Sequence, residues 1–241
     1  MPESFSPELF SEETRNRIRE LQKEGPVSSN AIAEAMLEDV DFVGAGGRVV
    51  VARVEGGGGK LAAVSRKEVS PEEAVTVYYN QALLRMLFPD NFPEIYASYG
   101  KSKGKGVSVN FREEIIGRAF TKQEAQKLHT DNLVKEPMVI KSEEHPFSKV
   151  IRAMKEINIP IVFDRNERNY MVGPSDEEYF VDTINFRDWT EEHKNSWLDY
   201  MRDKGCSQVE MDRASRYINR IITVNQKVIP TAKIRETQVF A

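Results

Sequence analysis

Short apolar runs separated by glycine, proline or polar residues dominate the chain between residues 41 and 111. Runs of this length that are rich in valine are typical of strands, and the breaks between them are typical of turns. One break holds four consecutive glycines, at positions 56–59. The pattern predicts a strand, glycine turn and strand within residues 41–52, and further strands at 61–69, 94–99 and 107–111.

A helix is predicted between the third and fourth of these strands. Ser70 can cap it, Pro71 suits the first helical position, and Glu72 and Glu73 complement the positive end of the helix dipole. The helical pattern continues to Leu87. Ahead of the first strand, two further helices are predicted, at residues 11–23 and from Ser28 or Ser29 to residue 37.

Helical patterns dominate the second half of the chain, at residues 122–129, 147–157, 191–203 and 208–224. A short apolar strand at 159–163 and a small hairpin of residues 170–172 and 178–181 interrupt them. A strand-rich first half followed by a mainly helical second half predicts an α+β fold.

The balance of charged residues limits the classes of partner that the protein is expected to bind. Lys and Arg total 34 and Asp and Glu total 38, for a formal net charge of −4. General nucleic-acid binding, which goes with a clear basic excess, is not expected. Residues 1–13 lack the basic start and apolar run of a signal peptide, and no stretch approaches the length of a membrane helix. We therefore expect a cytoplasmic protein with no membrane span, with a secreted effector as the alternative.

Cysteine and histidine content argues against disulfide and zinc chemistry. Cys206 is the only cysteine, so no intrachain disulfide can form. His129, His145 and His193 are far apart in sequence and lack the spacing of zinc ligands. Neither a disulfide framework nor a zinc site is expected.

The most informative polar residues are Asp164, Asn169 and Asp182. Phosphoryl transfer needs a carboxylate that orients or deprotonates the attacking hydroxyl, and oxygen ligands that hold magnesium on the phosphates. Asp164 and Asn169 are five residues apart, and Asp182 follows Asn169 by thirteen. The hairpin predicted in that gap would return Asn169 and Asp182 to one side.

This segment resembles the catalytic and metal-binding loops of the protein-kinase-like superfamily, and it is similar to the phosphatidylinositol-kinase and aminoglycoside-phosphotransferase branches. The resemblance implies a bilobal fold that uses ATP and Mg²⁺, with Asp164 as the catalytic aspartate and Asn169 and Asp182 as magnesium ligands. The chain departs from the family in two places. Ile161-Val162-Phe163 stands where a histidine is usual, and Asp182 is followed by Thr183-Ile184.

Glycines near the first strand resemble the nucleotide loop of the same superfamily. Gly44, Gly46 and Gly47, with Val51 after them, follow the glycine-rich pattern in part. Backbone N–H groups in such a turn can approach phosphates because glycine has no side chain. Glu114 lies in a segment that resembles the hinge whose backbone binds adenine.

The lysine that holds the ATP phosphates is expected on the third strand. Lys67 is the first candidate because it shares a face with Leu61, Ala63 and Ser65 at period two, with Arg66 and Lys60 as alternatives. In the family this lysine pairs with a glutamate of the next helix.

Asn80, or else Gln81, occupies the position of that helix glutamate, and neither carries a charge. Glu72 or Glu73 could substitute for it, or the pair is missing. The uncharged position favours a pseudokinase, which would bind nucleotide or a partner without phosphoryl transfer.

Three segments are predicted: a helical extension at 1–40, a kinase-like N-lobe at 41–112 and a kinase-like C-lobe at 113–241. The leading hypothesis is an atypical kinase that phosphorylates a hydroxyl of a protein or small molecule. A protein is preferred because the chain after Asp182 is short for an aminoglycoside-type kinase. The N-terminal helices are a candidate surface for a protein partner.

Other nucleotide and hydrolase sites explain the residues less well. A Walker motif ending at Gly100-Lys101-Ser102 would need a glycine where Ile95 stands, and a Rossmann motif at Gly44 would lead into a strand instead of a helix. A paired-carboxylate hydrolase built on Asp164 and Asp182 leaves Asn169 unexplained. The remaining alternative is an α+β interaction protein in which the motif is accidental.

Overall fold

A computed structural model of the protein describes residues 12–23, 31, 35, 41–45, 49–53, 59–67, 69–99, 109–131, 147–161, 163–164 and 166–237. Across these residues, a strand-rich part is followed by a mainly helical part, and the α+β class is confirmed. Most of the helix predicted from Ser28 or Ser29 to residue 37 lies outside the described residues. The first helix, α1 (Glu12–Lys23), is confirmed.

Five antiparallel strands form the first sheet, in the order β1-β2-β3-β5-β4. The strands are β1 (Asp41–Ala45), β2 (Val49–Arg53), β3 (Lys60–Ser65), β4 (Ile95–Tyr99) and β5 (Val109–Glu113). The central strand β3 is buried from its second residue to its last, because neighbours cover it on both edges and its small side chains pack on both faces. It ends at Ser65, four residues before the predicted end at residue 69.

The helix after β3 begins where the sequence predicts. Helix α2 (Pro71–Leu87) is capped by the Ser70 hydroxyl, which accepts the Glu73 N–H at 3.1 Å. Proline at the first position lacks an N–H that would otherwise need a partner, so this residue order favours a helix start.

The chain divides into two units, of which the first comprises Met1–Tyr78 with Glu94–Glu114 and the second Tyr79–Pro93 with Ile115–Ala241. The predicted boundary between residues 112 and 113 therefore lies two residues before the observed one. Residues 79–93 also belong to the second unit, because Leu83, Leu84 and Phe92 are buried in its core.

The second unit holds a small sheet, the last part of α2 and four further helices within its described residues. The sheet has the order β6 (Arg118–Ala119), β7 (Tyr170–Val172) and β8 (Glu178–Phe180). The helices are α3 (Lys122–Asp131), α4 (Ser148–Glu156), α5 (Glu191–Asp203) and α6 (Gln208–Thr237). The predicted hairpin is thus confirmed, whereas β6 was not predicted.

An aromatic cluster forms the centre of this core. Five rings pack together in it, those of Phe92, Phe147, Phe163, Tyr170 and Phe180. The ring centroids are 5.2 Å apart for Tyr170 and Phe180 and 6.5 Å apart for Phe92 and Phe180. Edge-to-face contacts prevail, the arrangement that aromatic quadrupoles favour. The cluster fixes β7 and β8, and therefore the loops at their ends.

The strand predicted at 159–163 is wrong for its described residues. The Ile159 N–H donates to the Met154 carbonyl at 2.9 Å, and the Ile161 N–H donates to the Ile159 carbonyl at 2.8 Å. These bonds turn the backbone back towards the end of α4, and Asn158 has a left-handed φ of 54°. The apolar side chains of this run still pack inwards, which is why the sequence resembles a strand.

Candidate active site

The polar loop that begins at Asp164 is organised by its own hydrogen bonds. The Asp164 carboxylate accepts the Asn166 N–H at 3.2 Å, and the Asn166 side chain accepts the Arg168 N–H at 3.1 Å. The Asn169 N–H donates to the Asn166 carbonyl at 2.9 Å, which closes a short 3₁₀ turn. Asp and Asn favour such turns because their short side chains reach backbone N–H groups nearby. The loop presents Asp164 to solvent.

The hairpin brings Asn169 and Asp182 to one end of the small sheet. Tyr170 pairs with Phe180, and the Val181 N–H donates to the Asn169 carbonyl at 2.8 Å, one step beyond the last strand pair. Asn169 is therefore opposite the residue that precedes Asp182. Both residues are half-buried.

The Asp182 carboxylate is oriented by the next residue. Its Oδ1 accepts the Thr183 N–H at 2.8 Å, and the Thr183 hydroxyl lies 3.5 Å from the same oxygen. Both contacts end on Oδ1, so in the predicted magnesium site Oδ2 would be the oxygen that meets the cation. Thr183 thus gives the Asp182 carboxylate a fixed direction.

Asn169 and Asp182 have the chemistry that magnesium prefers. Mg²⁺ takes hard oxygen ligands, and in phosphoryl-transfer sites it takes one or two from the protein and the rest from water and phosphates. A carboxylate and an amide oxygen at one end of a hairpin fit this pattern. Within the described ranges no three or more His, Cys, Asp or Glu side chains come together, so this pair would hold an ion only with ligand oxygens.

Tyr170 is a residue of this site that sequence reasoning missed. Its side chain is fully buried, and its ring stacks on Phe120 with centroids 5.1 Å apart. Burial raises the pKa of the Tyr170 phenol well above its ordinary value, and the charge of Asp164 raises it further. The phenol therefore stays neutral beside Asp164. The only feature of the sequence that points to Tyr170 is its position directly after Asn169.

Asn80, one of the two residues that the resemblance placed at a helix glutamate position, has a structural role in the second unit. It is buried, and its amide nitrogen donates to the Phe186 carbonyl at 2.8 Å and towards the Ile184 carbonyl at 3.4 Å. Its amide oxygen accepts the Trp189 indole N–H at 2.8 Å. Asn80 therefore binds the segment that follows Asp182. The adjacent Gln81 instead donates to the Pro93 carbonyl at 3.4 Å.

Gly44 lies in β1 of the first unit, where it pairs with Val51. A Cβ added at Gly44 would meet nothing within 4 Å, so the packing of the described residues does not require a glycine there. Gly46 and Gly47 lie outside the described residues. The predicted strand–turn–strand order around these glycines is confirmed by the pairing of β1 with β2.

Lys67 is not on β3, contrary to the expectation that placed it there. Because β3 ends at Ser65, Lys67 follows the strand, and its side chain is exposed. Its N–H is directed to the Ser65 hydroxyl at 3.4 Å. Of the two alternatives, Lys60 begins β3 with its ammonium 4.8 Å from the centroid of the Tyr96 ring, a cation–π contact, and Arg66 is half-buried directly after the strand.

Glu114 uses its main-chain and side-chain groups within the first unit. Its N–H donates to the Gly59 carbonyl at 2.7 Å, which continues the pairing of β3 with β5. Its side chain is 10% exposed, and its carboxylate accepts hydrogen bonds from Nε and Nη2 of Arg53 at 3.0 Å and 2.5 Å. This hydrogen bond lowers the pKa of Glu114. The Glu114 N–H is thus engaged and would have to leave Gly59 to bind adenine.

No protein-family model matches the chain, and no curated protein matches it either. The resemblance to kinases therefore depends on the residues described above. In the part of the chain that the structure describes, no helix is long and apolar enough to span a bilayer.

Proposed function

We propose that the chain is an atypical kinase of the protein-kinase-like superfamily, which transfers the γ-phosphoryl group of ATP to a hydroxyl acceptor in the presence of Mg²⁺. A protein hydroxyl is the preferred acceptor and a small-molecule hydroxyl the alternative. In this proposal the first unit from residue 41 onwards corresponds to the N-lobe and the second unit to the C-lobe.

The observation that carries the proposal is the hydrogen bond from the Val181 N–H to the Asn169 carbonyl. It supports a shared site for two oxygen ligands that are thirteen residues apart in sequence. The order of elements in the first unit supports it as well. A hairpin with glycines at its turn, a third strand and then a helix is the order in which kinases supply the phosphate loop, the lysine strand and the helix that follows.

Each residue has a chemical role in the proposed reaction. Asp164 accepts a hydrogen bond from the acceptor hydroxyl and orients its oxygen towards the γ-phosphorus. A bond forms between that oxygen and phosphorus, the bond from phosphorus to the bridging oxygen of ADP breaks, and the acceptor proton passes to Asp164 or to water. Asn169 and Asp182 would hold Mg²⁺, which neutralises charge on the phosphates.

Residues of the first unit would bind the nucleotide by their resemblance to the family. Gly44 would let the β1–β2 turn approach the phosphates, and one of Lys67, Arg66 or Lys60 would supply the positive charge. The segment at Glu114 would contribute to adenine binding.

A pseudokinase is the second candidate, and three observations favour it. The helix position that carries a glutamate in kinases holds Asn80, which binds backbone instead of a lysine. Lys67 lies beyond the strand that was expected to hold it, and the Glu114 N–H is already bound to Gly59. Such a protein would bind nucleotide without transferring phosphate.

The first experiment measures thermal stability with ATP and Mg²⁺, together with transfer of labelled γ-phosphate to the protein itself and to generic protein acceptors. We expect a magnesium-dependent stabilisation of about 2.7 kcal/mol at a ligand concentration 100-fold above Kd. Asp182→Asn, which removes the charge and keeps the shape, should abolish both the shift and transfer. Asp164→Asn should keep the shift and lose transfer.

Asp176→Asn is the matched control, since Asp176 is exposed in the hairpin turn with a φ of 63°, a conformation that asparagine tolerates. It should behave like the wild type. A shift without transfer would favour the pseudokinase. An unchanged melting temperature with every nucleotide would contradict both candidates and leave the interaction protein.

A further inference from the structure

The backbone after Asp182 depends on side chains for its hydrogen bonds. Residues 183–190 form neither helix nor strand, and they run along buried positions such as Ile184 and Trp189. Buried carbonyl and N–H groups need partners, because an unpaired one costs about as much as a lost hydrogen bond. The groups that meet this segment therefore decide its course.

Asn80 meets the segment at three points. Its amide nitrogen faces the carbonyls of Ile184 and Phe186, and its amide oxygen accepts the indole N–H of Trp189. With 1% of its surface exposed, Asn80 is shielded from water. Both ends of one amide are thus used on residues two to seven positions after Asp182.

The backbone is consequently hydrogen-bonded both before and after Asp182. On one side the Val181 N–H is bound to the Asn169 carbonyl at 2.8 Å, and on the other Asn80 faces the Ile184 carbonyl at 3.4 Å. Ile184 itself is 4% exposed in the core. Only Thr183 separates Asp182 from the part of the segment that Asn80 fixes.

The geometry points to Asn80 as a positioning residue that sets the affinity of Asp182 for Mg²⁺ by fixing the backbone after it. The inference rests on the proposed function, in which Asp182 binds the ion. Some residues do not bind the metal but orient a residue that does. Mutation of such a residue typically lowers metal affinity or activity by about 10–100-fold. Asn80, at the helix position where kinases carry a glutamate, would thus support the magnesium ligand Asp182. It would do so by hydrogen bonds to backbone and without a charge.

The test compares two identical chemical changes at adjacent buried positions. Asn80→Asp keeps an acceptor for Trp189 but removes the amide donors, and even a protonated carboxyl can donate to only one of the Ile184 and Phe186 carbonyls. Gln81→Glu makes the same amide-to-acid change at a residue 5% exposed that is bonded to Pro93 instead. Mg²⁺ is titrated against a fixed concentration of a non-hydrolysable ATP analogue, with the thermal shift as the readout. Asn80→Asp should raise the Mg²⁺ concentration needed for half the shift by about 10-fold or more, and Gln81→Glu should not.

Hydrogen exchange gives a readout that does not need turnover. Amides of residues 183–190 should exchange faster in Asn80→Asp than in the wild type, and those in Gln81→Glu should not. Trp189→Phe removes the indole donor and keeps the two carbonyl contacts, so it should raise the Mg²⁺ requirement less than Asn80→Asp does. If Asn80→Asp does not fold, Asn80→Ser, whose hydroxyl can reach at most one carbonyl, replaces it in both measurements.

Three outcomes would overturn the inference. Equal Mg²⁺ dependence in Asn80→Asp and the wild type would do so while leaving the kinase proposal in place. An equal loss in Gln81→Glu would mean that general destabilisation, and not the position of Asp182, is responsible. A wild-type protein with no Mg²⁺-dependent shift would overturn the proposed function itself, and this inference with it.

Discussion

Gly117 shows how one residue can be fixed by the backbone of another strand. A Cβ added at Gly117 would lie 2.0 Å from the Val172 carbonyl oxygen and 2.9 Å from its carbonyl carbon. Non-bonded atoms do not approach so closely. The clashing atoms of Val172 belong to the backbone, so they cannot move aside by a change of side-chain rotamer. The link before β6 and the end of β7 are therefore adjacent only because residue 117 has no side chain.

Gly117→Ala should lower the free energy of unfolding by about 1–3 kcal/mol, the usual cost of overfilling a packed site. Urea unfolding followed by circular dichroism measures it. Gly44→Ala is the control, because a Cβ there meets nothing within 4 Å and the free energy of unfolding should hardly change. In the proposed kinase the same control variant should weaken ATP binding. Equal stability of the two variants would contradict the close approach at Gly117.

At the scale of single elements, helix α3 has a reciprocal cap at its start. The Thr121 N–H donates to the Glu124 carboxylate at 2.7 Å, and the Thr121 hydroxyl accepts the Glu124 N–H at 3.2 Å. Arg118 adds two hydrogen bonds to the same carboxylate, at 2.9 Å and 2.7 Å. The cap thereby joins α3 to β6.

The pKa of Glu124 is lowered from 4.5 to about 2, first by the hydrogen bond from Arg118 and then by those from Thr121. A carboxyl whose pKa is lower when folded adds stability above its unfolded pKa and loses it as the pH falls. The contribution of Glu124 should therefore be complete above pH 4.5 and disappear between there and about pH 2. Glu124→Gln can keep the capping bonds but not the charge, so it should reduce the pH dependence of stability in this window.

Thermal melts of the wild type and Glu124→Gln at pH 3, 4 and 7 measure this effect. Thr121→Ala is the comparison, since it removes the hydroxyl cap but leaves the Arg118 bonds, so it should cost about 1 kcal/mol at pH 7 and keep most of the pH dependence. If Glu124→Gln changes stability equally at all three pH values, the ion pair with Arg118 has no part in it.

Local sequence signals predicted most elements of the fold, including the hairpin between Asn169 and Asp182. Ser70-Pro71 marked the start of α2, and the short strand-like runs on either side of Gly173-Pro174 predicted a hairpin that the structure confirms. The position of Lys67 was predicted wrongly, because polarity alternation continues past Ser65 although strand pairing does not. The bonds of Asn80 could not be predicted, since its partners are 104 to 109 residues away along the chain.

At the scale of the whole molecule, the second unit is built from two separate stretches of chain. Residues 79–93 are far in sequence from Ile115 onwards, yet they supply Leu83, Leu84 and Phe92 to one core. The Asn91 side chain also donates to the Glu178 carbonyl at 2.8 Å, and the Phe180 N–H donates to the Asn91 carbonyl at 2.9 Å. The hairpin that ends at Asp182 is thus supported by a segment from much earlier in the chain.

Phe92→Ala should therefore destabilise the unit that holds the candidate catalytic residues. Phe92 is fully buried against Phe147, Phe163 and Phe180, so truncation should cost about 3–5 kcal/mol. Trp189 and Trp197 are the only tryptophans of the chain and both belong to the second unit, so their fluorescence reports its unfolding. Val209→Ala, at a side chain 66% exposed, should leave the urea midpoint of this fluorescence unchanged. Coinciding midpoints for the two variants would mean that residues 79–93 do not stabilise the unit, because the loss of a buried ring would then have no effect on the tryptophans.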